Sequence, residues 1–208
     1  MRLYYAPGAC SLAPHIVVRE AGLPVELEKV DLAAKKTERG DDFRTINPKG
    51  YVPTLKLDDG ALLTENAAIL QYLGDQAGES AGLIPPAGTR ERYRVVEWLT
   101  FLSTELHQNF GVFFIPNYPE EARNLTRAKL AERLRFLEEH FAGGGAYLNG
   151  ERFSVADAYL FTVLGWTKRH GIDMQPYPNL RAYQARVAER PAVQRALREE
   201  GLLEQHAA

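Results

Sequence analysis

Strand, loop and helix signals follow one another within residues 3–16, which read LYYAPGACSLAPHI. The apolar run at the start predicts a strand. Pro7 and Gly8 then interrupt regular pairing, because proline lacks an N–H donor and glycine frees the backbone. The apolar positions from Leu12 onward predict a helix, and Pro14 is tolerated in its first turn. The stretch therefore predicts a strand that ends in a tight loop and leads into a helix.

Cys10 lies between this loop and the start of the predicted helix. Unpaired N–H groups and the positive end of the helix dipole favour a thiolate over a thiol at such a position. We therefore expect Cys10 to be more acidic than a free cysteine and to have a functional role. The alternative is a buried, unreactive cysteine, which is the more common state of a lone cysteine.

The composition is that of an ordinary globular protein. The 208 residues are 45% hydrophobic and 25% charged, and the formal net charge of -2 gives no general attraction to nucleic acid or anionic membranes. The first residues, MRLYYAPG, contain no apolar signal segment, and no apolar run approaches the roughly 20 residues of a membrane span. A single cysteine cannot form an internal disulfide, which fits a reducing compartment. We therefore expect a cytoplasmic protein that binds neither nucleic acid nor membranes.

Residues 1–80 alternate strand and helix signals and predict an α/β domain of order βαβαββα. The segment Val-Glu-Leu-Glu-Lys-Val alternates apolar and polar side chains, as a strand does. An Asp-Gly pair between two later apolar runs is typical of a tight hairpin turn. The predicted elements are strands at 2–5, 25–30, 54–57 and 61–63 and helices at 11–21, 41–46 and 64–77.

A change of composition separates this part from the rest of the chain. Residues 78–89, GESAGLIPPAGT, hold three glycines and two prolines, which is typical of a linker. We place the domain boundary there. Residues 89–208 show helical periodicities without convincing strand signals, such as the apolar positions Val95, Leu99 and Leu102. They predict a second domain that is all-α.

Four motifs occur in order along the chain. They are Tyr4-Tyr5-x-Pro7-Gly8-x-Cys10-Ser11-Leu12-x-Pro14-His15-Ile16, Asn47-Pro48-Lys49-Gly50-x-Val52-Pro53, Leu63-Thr64-Glu65, and Ser154-Val155-Ala156-Asp157-Ala158-Tyr159-Leu160. Together they resemble the cytosolic glutathione transferases, and within them the bacterial beta class, over essentially the whole chain. The last motif also resembles a capping box at a helix start. The resemblance implies a thioredoxin-like domain that binds glutathione, an all-α domain that lines the second-substrate site, and a homodimer.

The resemblance assigns the main glutathione contacts to the first domain. It implies a cis peptide bond between Val52 and Pro53, which leaves the Val52 backbone to pair with the cysteinyl part of glutathione like an added strand. An ordinary trans proline at a strand start is the alternative. Glu65 would bind the γ-glutamyl ammonium, while Asn66 and the first helix amides would bind its carboxylate. A compatible alternative is that Thr64, Glu65 and Asn66 simply cap the helix.

Further glutathione contacts are implied for Lys35, Tyr51, Thr104 and Glu105. Lys35 is assigned to the glycyl carboxylate, and the alternative is that it belongs to a solvated run of charges. The contacts across subunits that the resemblance implies, through Thr100, Thr104 and Glu105, depart from the family pattern, because Thr100 stands where many relatives have asparagine and Gln108 where some have lysine.

The expected catalytic residues are Cys10, Ser11 and His107. A lone histidine on a helix is more often packed or solvated, but the beta-class pattern has one at this position reaching into the site. His107, also counted among the glutathione contacts with Cys10, would hydrogen-bond the sulfur of glutathione or of Cys10. Ser11 would help to stabilise the attacking sulfur.

The expected function is a glutathione transferase that joins the thiol of glutathione to hydrophobic electrophiles. The candidates for the electrophile site are Phe113, Phe114 and Trp166. The alternative for Trp166 is that it only packs in the core. Glutathione is the expected co-substrate, and no metal is expected. Two other functions stay open: thiol–disulfide exchange or peroxide reduction through Cys10, with Ala13 where a dithiol enzyme needs a second cysteine, and non-catalytic binding on the same fold.

Overall fold

The first part of the chain folds into a five-stranded sheet with three helices. The computed structural model describes residues 1–203, so residues 204–208 of the predicted second domain lie outside the described residues. The elements are β1 (Arg2–Tyr5), α1 (Leu12–Ala21), β2 (Glu26–Asp31), β3 (Lys36–Thr37), α2 (Phe43–Ile46), β4 (Thr54–Lys56), β5 (Leu62–Thr64) and α3 (Asn66–Gln76). Each predicted strand and helix of this part is present, within two residues at each end.

The sheet has the order β3-β2-β1-β4-β5. The central strand β1 runs parallel to β2, with Leu3 beside Leu27, and antiparallel to β4, with Leu3 beside Leu55. The two-residue strand β3 is an addition to the predicted order. It consists of Lys36 and Thr37, which are too few and too polar to give an apolar alternation in the sequence.

The remainder of the described chain is mainly helical. Its helices are α4 (Arg90–Phe101), α5 (Gln108–Gly111), α6 (Glu120–Ala142), α7 (Val155–Arg169), α8 (Pro178–Ala188) and α9 (Pro191–Glu199). A π-helical segment, Leu102–His107, joins α4 to α5. The predicted apolar face is confirmed, since Leu99 and Leu102 are fully buried. π-Helical turns, such as the one in Leu102–His107, are frequently found at functional sites.

One hydrophobic core extends through both parts. Helix α1 packs against α3, α7 and α9. Gly74 of α3 lies so close to the helical part that a Cβ there would approach Ile84 to 2.8 Å and Val155 to 3.1 Å. Ile84 comes from the segment predicted as a linker and is nevertheless buried. Because the two parts share side-chain packing, α7 has a fixed position relative to the sheet and its loops.

The predicted capping box at the start of α7 is present. The Asp157 carboxylate accepts hydrogen bonds from the Ser154 N–H at 2.8 Å and from the Leu148 N–H at 2.9 Å. Burial raises the pKa of Asp157 to about 6. The bond from Ser154 belongs to the capping box, and the bond from Leu148 ties the preceding loop to the helix start. They fix the beginning of the helix that carries Tyr159 and Trp166 toward the cavity described below.

No helix within residues 1–203 combines the length and the apolar character needed to cross a membrane.

Candidate functional site

A cavity of about 610 Å³ opens between the loops of the sheet and the helical part. Ten of the residues proposed from the sequence line it: Cys10, Tyr51, Val52, Pro53, Glu65, Asn66, Thr104, His107, Phe114 and Trp166. They come from six separate segments of the chain. The fold therefore brings most of the predicted site together at one place.

Four predicted residues do not line the cavity, because each is engaged elsewhere. The buried Ser11 hydroxyl bonds to the backbone of Ala6. The Lys35 ammonium donates to the Gly50 carbonyl at 2.7 Å. Glu105 pairs with Arg133 at 2.8 Å, and Phe113 packs in the core against Phe110 and His170. The roles assigned to Ser11, Lys35, Glu105 and Phe113 stay predictions.

The expected acidity of Cys10 is wrong for this structure. Burial raises the pKa of the Cys10 thiol to about 12, and the nearby N–H groups of Cys10 and Ser11 offset only part of that increase. The thiol instead donates a hydrogen bond to the Val52 carbonyl, with Sγ and the oxygen 3.3 Å apart. Helix α1 begins at Leu12, one residue later than predicted. Cys10 is therefore a protonated thiol at neutral pH.

The loop before β4 has the predicted cis peptide bond between Val52 and Pro53. The Asn47 amide holds this loop, donating to the Tyr51 carbonyl and to the Thr54 hydroxyl at 2.9 Å each. Asn47 itself is buried. The Asn-Pro-Lys-Gly motif thus has a structural function, since its first side chain fixes the backbone on which Val52 is presented to the cavity.

Glu65 stands immediately before α3 with a positive φ of 69° and makes no side-chain cap bond. Its carboxylate accepts from the Lys49 ammonium at 2.5 Å and from the Tyr51 hydroxyl at 2.9 Å. These two donors lower the pKa of Glu65. The carboxylate is therefore charged at neutral pH and lies in the cavity wall. Its side chain does not cap α3, so the geometry does not show Glu65 as a simple helix cap.

Asn66 follows as the first residue of α3 and is almost fully buried. Its amide nitrogen donates to the Cys10 carbonyl at 3.2 Å. Its oxygen Oδ1 is buried and has no hydrogen-bond partner within residues 1–203. Asn66 thus ties the start of α3 to the loop that carries Cys10.

His107 comes from the π-helical segment and lies against two aromatic side chains of α7. Its ring nitrogen Nδ1 is 2.6 Å from the Tyr159 hydroxyl, and its ring centroid is 5.0 Å from that of Trp166. Burial lowers the pKa of His107 to about 4, against a smaller opposing effect of Glu65. The imidazole is therefore neutral at neutral pH.

Tyr159 and Ser103 line the cavity but were missed as site residues in the sequence, as was Arg169. Helical spacing gives a signal for them. Ser103 precedes His107 by four positions, and Arg169 follows Trp166 by three, so each shares a helix face with a residue already proposed. Tyr159 is fully buried and appears in the sequence as part of an apolar helix face.

No cluster of histidine, cysteine, aspartate and glutamate side chains suited to a metal ion occurs within the described part of the chain, residues 1–203.

Comparisons with known proteins give the family. Residues 8–76 match the family described as the N-terminal domain of glutathione S-transferase, and residues 96–191 match its C-terminal domain. The glutathione S-transferase GstA of Escherichia coli O157:H7 is 46% identical over 202 residues, which cover 97% of this chain and 100% of that protein.

Solved structures agree with this assignment. A beta-class glutathione S-transferase of Sphingomonas chungbukensis has a TM-score of 0.94 and 49% identity, over 98% of this chain and 100% of that one. A sphingomonad glutathione S-transferase complexed with glutathione has a TM-score of 0.93 and 48% identity, again over 98% and 100% of the two chains.

The chain therefore belongs to the glutathione S-transferase family. The similarity to bacterial relatives, among them a beta-class structure, confirms the resemblance predicted from the sequence motifs.

Proposed function

We propose that this protein is a glutathione transferase that joins the thiol of glutathione to hydrophobic electrophiles. One observation carries the proposal: a single cavity has Cys10, Pro53 and Glu65 on the wall formed by the sheet loops and His107 and Trp166 on the helical wall. Such a cavity would hold a charged tripeptide against one wall and an apolar partner against the other. Membership of the transferase family supports the same function.

Glutathione would be held at its polar ends. The charged Glu65 carboxylate would bind the γ-glutamyl ammonium in a charge-assisted hydrogen bond. The first amides of α3, with Asn66, would bind the adjacent carboxylate at the positive end of the helix dipole. Val52 would pair through its backbone with the cysteinyl part, and Tyr51, Thr104, Lys35 and Glu105 are proposed as further contacts.

In the proposed reaction the glutathione thiol first loses its proton to solvent. The resulting thiolate attacks an electrophilic carbon, an S–C bond forms, and the leaving group departs with the electron pair of the broken bond. Because His107 is neutral, we assign its ring N–H hydrogen-bond donation to the glutathione sulfur. The protonated Cys10 thiol would join it by turning its proton from the Val52 carbonyl to that sulfur. Stabilising the thiolate and holding it beside the electrophile supply the rate enhancement.

The electrophile would lie against Phe114 and Trp166, whose rings meet edge to face with centroids 5.3 Å apart. Phe114 is 42% exposed, so an apolar substrate would cover a ring that otherwise faces water. Phe113 lies behind this wall and would support it.

Thiol–disulfide exchange through Cys10 is the second candidate, because the thiol lines the same cavity. Its raised pKa makes this the slower chemistry, since the thiolate is the attacking species. We further propose a homodimer in the cytoplasm. A non-catalytic binding role is the third candidate.

Two measurements test the proposal. The protein should be retained on immobilised glutathione and should accelerate conjugation of glutathione to chlorodinitrobenzene. Exchange with a glutathione mixed disulfide that is faster than conjugation would favour the redox role. Failure of retention would overturn both glutathione-dependent roles and would favour the non-catalytic binding of a protein partner or a hydrophobic ligand. Sedimentation of a monomer at micromolar concentration would contradict the homodimer.

A further inference from the structure

The hydroxyl of Tyr159 and the ring nitrogen Nδ1 of His107 form a short hydrogen bond, with 2.6 Å between the heavy atoms. The two residues are far apart in the sequence and come from different helical segments. Tyr159 is fully buried, and its hydroxyl reaches His107 at the edge of the cavity. The question is which of the two groups donates the proton.

The charge states of Tyr159 and His107 restrict which of them can donate. Burial raises the pKa of Tyr159, so its hydroxyl keeps its proton at neutral pH. Burial lowers the pKa of His107 to about 4, so its ring carries a single N–H. A neutral imidazole donates from one nitrogen and accepts at the other.

The surroundings of the hydroxyl decide between the two directions. The nearby Ser103 and Asn66 side chains lower the pKa of the Tyr159 hydroxyl and so act as donors to its oxygen, which leaves the hydroxyl proton for His107. The 2.6 Å separation is typical of an O–H donor and is shorter than the usual N–H···O hydrogen bond. The Tyr159 hydroxyl therefore donates to Nδ1 of His107. The imidazole carries its own proton on Nε2.

We propose that Tyr159 is a positioning residue that holds His107 as the Nε2–H tautomer and leaves that N–H for the glutathione sulfur. The second half of this inference rests on the proposed function, whereas the tautomer does not. The opposite tautomer would present a lone pair to the thiolate and would repel it. The Trp166 ring, 5.0 Å from His107 between centroids, packs against the imidazole and opposes its rotation.

Long-range proton–nitrogen correlation spectra of the ¹⁵N-labelled, full-length protein test the tautomer directly. The His107 signals are assigned by their loss in His107→Gln. At neutral pH we expect Nδ1 to resonate as an unprotonated nitrogen and Nε2 as a protonated one. A protonated Nδ1 would overturn the proposal, whatever the activity of the protein.

Tyr159→Phe then tests whether the hydroxyl maintains that state. We expect the two nitrogen signals to move toward a mixture of tautomers. The kcat for chlorodinitrobenzene should fall about tenfold, the effect of one lost hydrogen bond, while KM for glutathione stays within about twofold. Tyr183→Phe is the matched control, because it removes another buried hydroxyl, which bonds to Asp157 at 3.1 Å. It should leave the His107 signals and kcat unchanged.

A double-mutant cycle shows whether Tyr159 acts through His107. In a His107→Ala background, Tyr159→Phe should have no further effect on kcat. An equal loss in both backgrounds would overturn the positioning role. If the parent has the expected tautomer but does not conjugate glutathione, the proposed function fails while the tautomer is supported. If Tyr159→Phe does not fold, the spectrum of the parent still decides the tautomer.

Discussion

The indole nitrogen of Trp166 donates a hydrogen bond to the carbonyl oxygen of Gly8, with 2.9 Å between the two atoms. The N–H of Gly8 is bound from the helical part as well, because it donates to the Glu200 carboxylate at 2.8 Å. Gly8 has a positive φ of 70°, which a side chain would disfavour. Two residues of the helical part, Trp166 and Glu200, therefore hold the carbonyl and the N–H of Gly8. They fix the loop that leads to Cys10 although they are distant from it in the sequence.

Trp166→Phe keeps an aromatic ring in the cavity wall but removes this hydrogen bond. We expect unfolding in urea to show a loss of about 1 kcal/mol, and KM for glutathione to rise about threefold as the loop loosens. Trp98→Phe is the control, because Trp98 packs against Phe101 and Phe136 outside the cavity. An equal rise of KM in both variants would contradict a specific role for the bond to Gly8.

Glu65→Ala should weaken glutathione binding roughly tenfold to hundredfold, because it removes a charge-assisted hydrogen bond to the ligand ammonium. Isothermal titration with glutathione measures the dissociation constant, and urea denaturation measures the stability. Glu120→Ala removes another exposed carboxylate, paired with Arg127 at 2.6 Å outside the cavity, and should leave binding unchanged. Unaltered binding in Glu65→Ala would show that Glu65 is not part of the glutathione site.

Local sequence patterns were sufficient to predict most of the fold. The Asp-Gly turn gives the hairpin of β4 and β5, and Ser154 with Asp157 gives the start of α7, because each depends on neighbouring residues. The cis bond before Pro53 and the placement of Glu65 in the cavity followed from motif resemblance. Elements of two polar residues, such as β3, carry too little pattern to be predicted.

Properties that depend on distant residues could not be predicted. The acidity expected for Cys10 considered only the helix start, whereas burial determines the pKa and comes from groups elsewhere in the chain. Tyr159 has the sequence pattern of a core residue, and it is buried in the core. Its hydroxyl has a proposed role at the site only because His107 lies 2.6 Å away. The hydrogen bond from Lys35 to the Gly50 carbonyl likewise joins residues that no local pattern connects, and the contact of Lys35 with glutathione stays a prediction.

Cys10 should react slowly with iodoacetamide in the folded protein. With a thiol pKa of about 12, the thiolate fraction at pH 7 is far below that of a free cysteine. We expect alkylation at least about a hundredfold slower than for the same protein in urea, and a rate that rises about tenfold per pH unit up to pH 9. Intact-mass spectrometry follows the reaction. Alkylation at the free-thiol rate would show that burial does not suppress the thiolate.

The depressed pKa of His107 predicts a pH-dependent stability. The imidazole has a pKa of about 4 in the folded chain and an ordinary value near 6.5 in the unfolded chain, so between these values the unfolded state binds more protons. Stability from this group is complete above pH 6.5 and is lost as pH falls toward 4, by about 3 kcal/mol at most.

His107→Gln should therefore lose less stability than the parent between pH 7 and pH 5, in urea titrations at one fixed protein concentration. Gln108→Ala alters a neighbouring cavity residue that does not titrate and should keep the slope of the parent. Equal slopes in His107→Gln and the parent would mean that His107 is not desolvated in the folded protein. A pKa of about 4 for His107, and with it a ring that keeps a single N–H below pH 6.5, would then have no support.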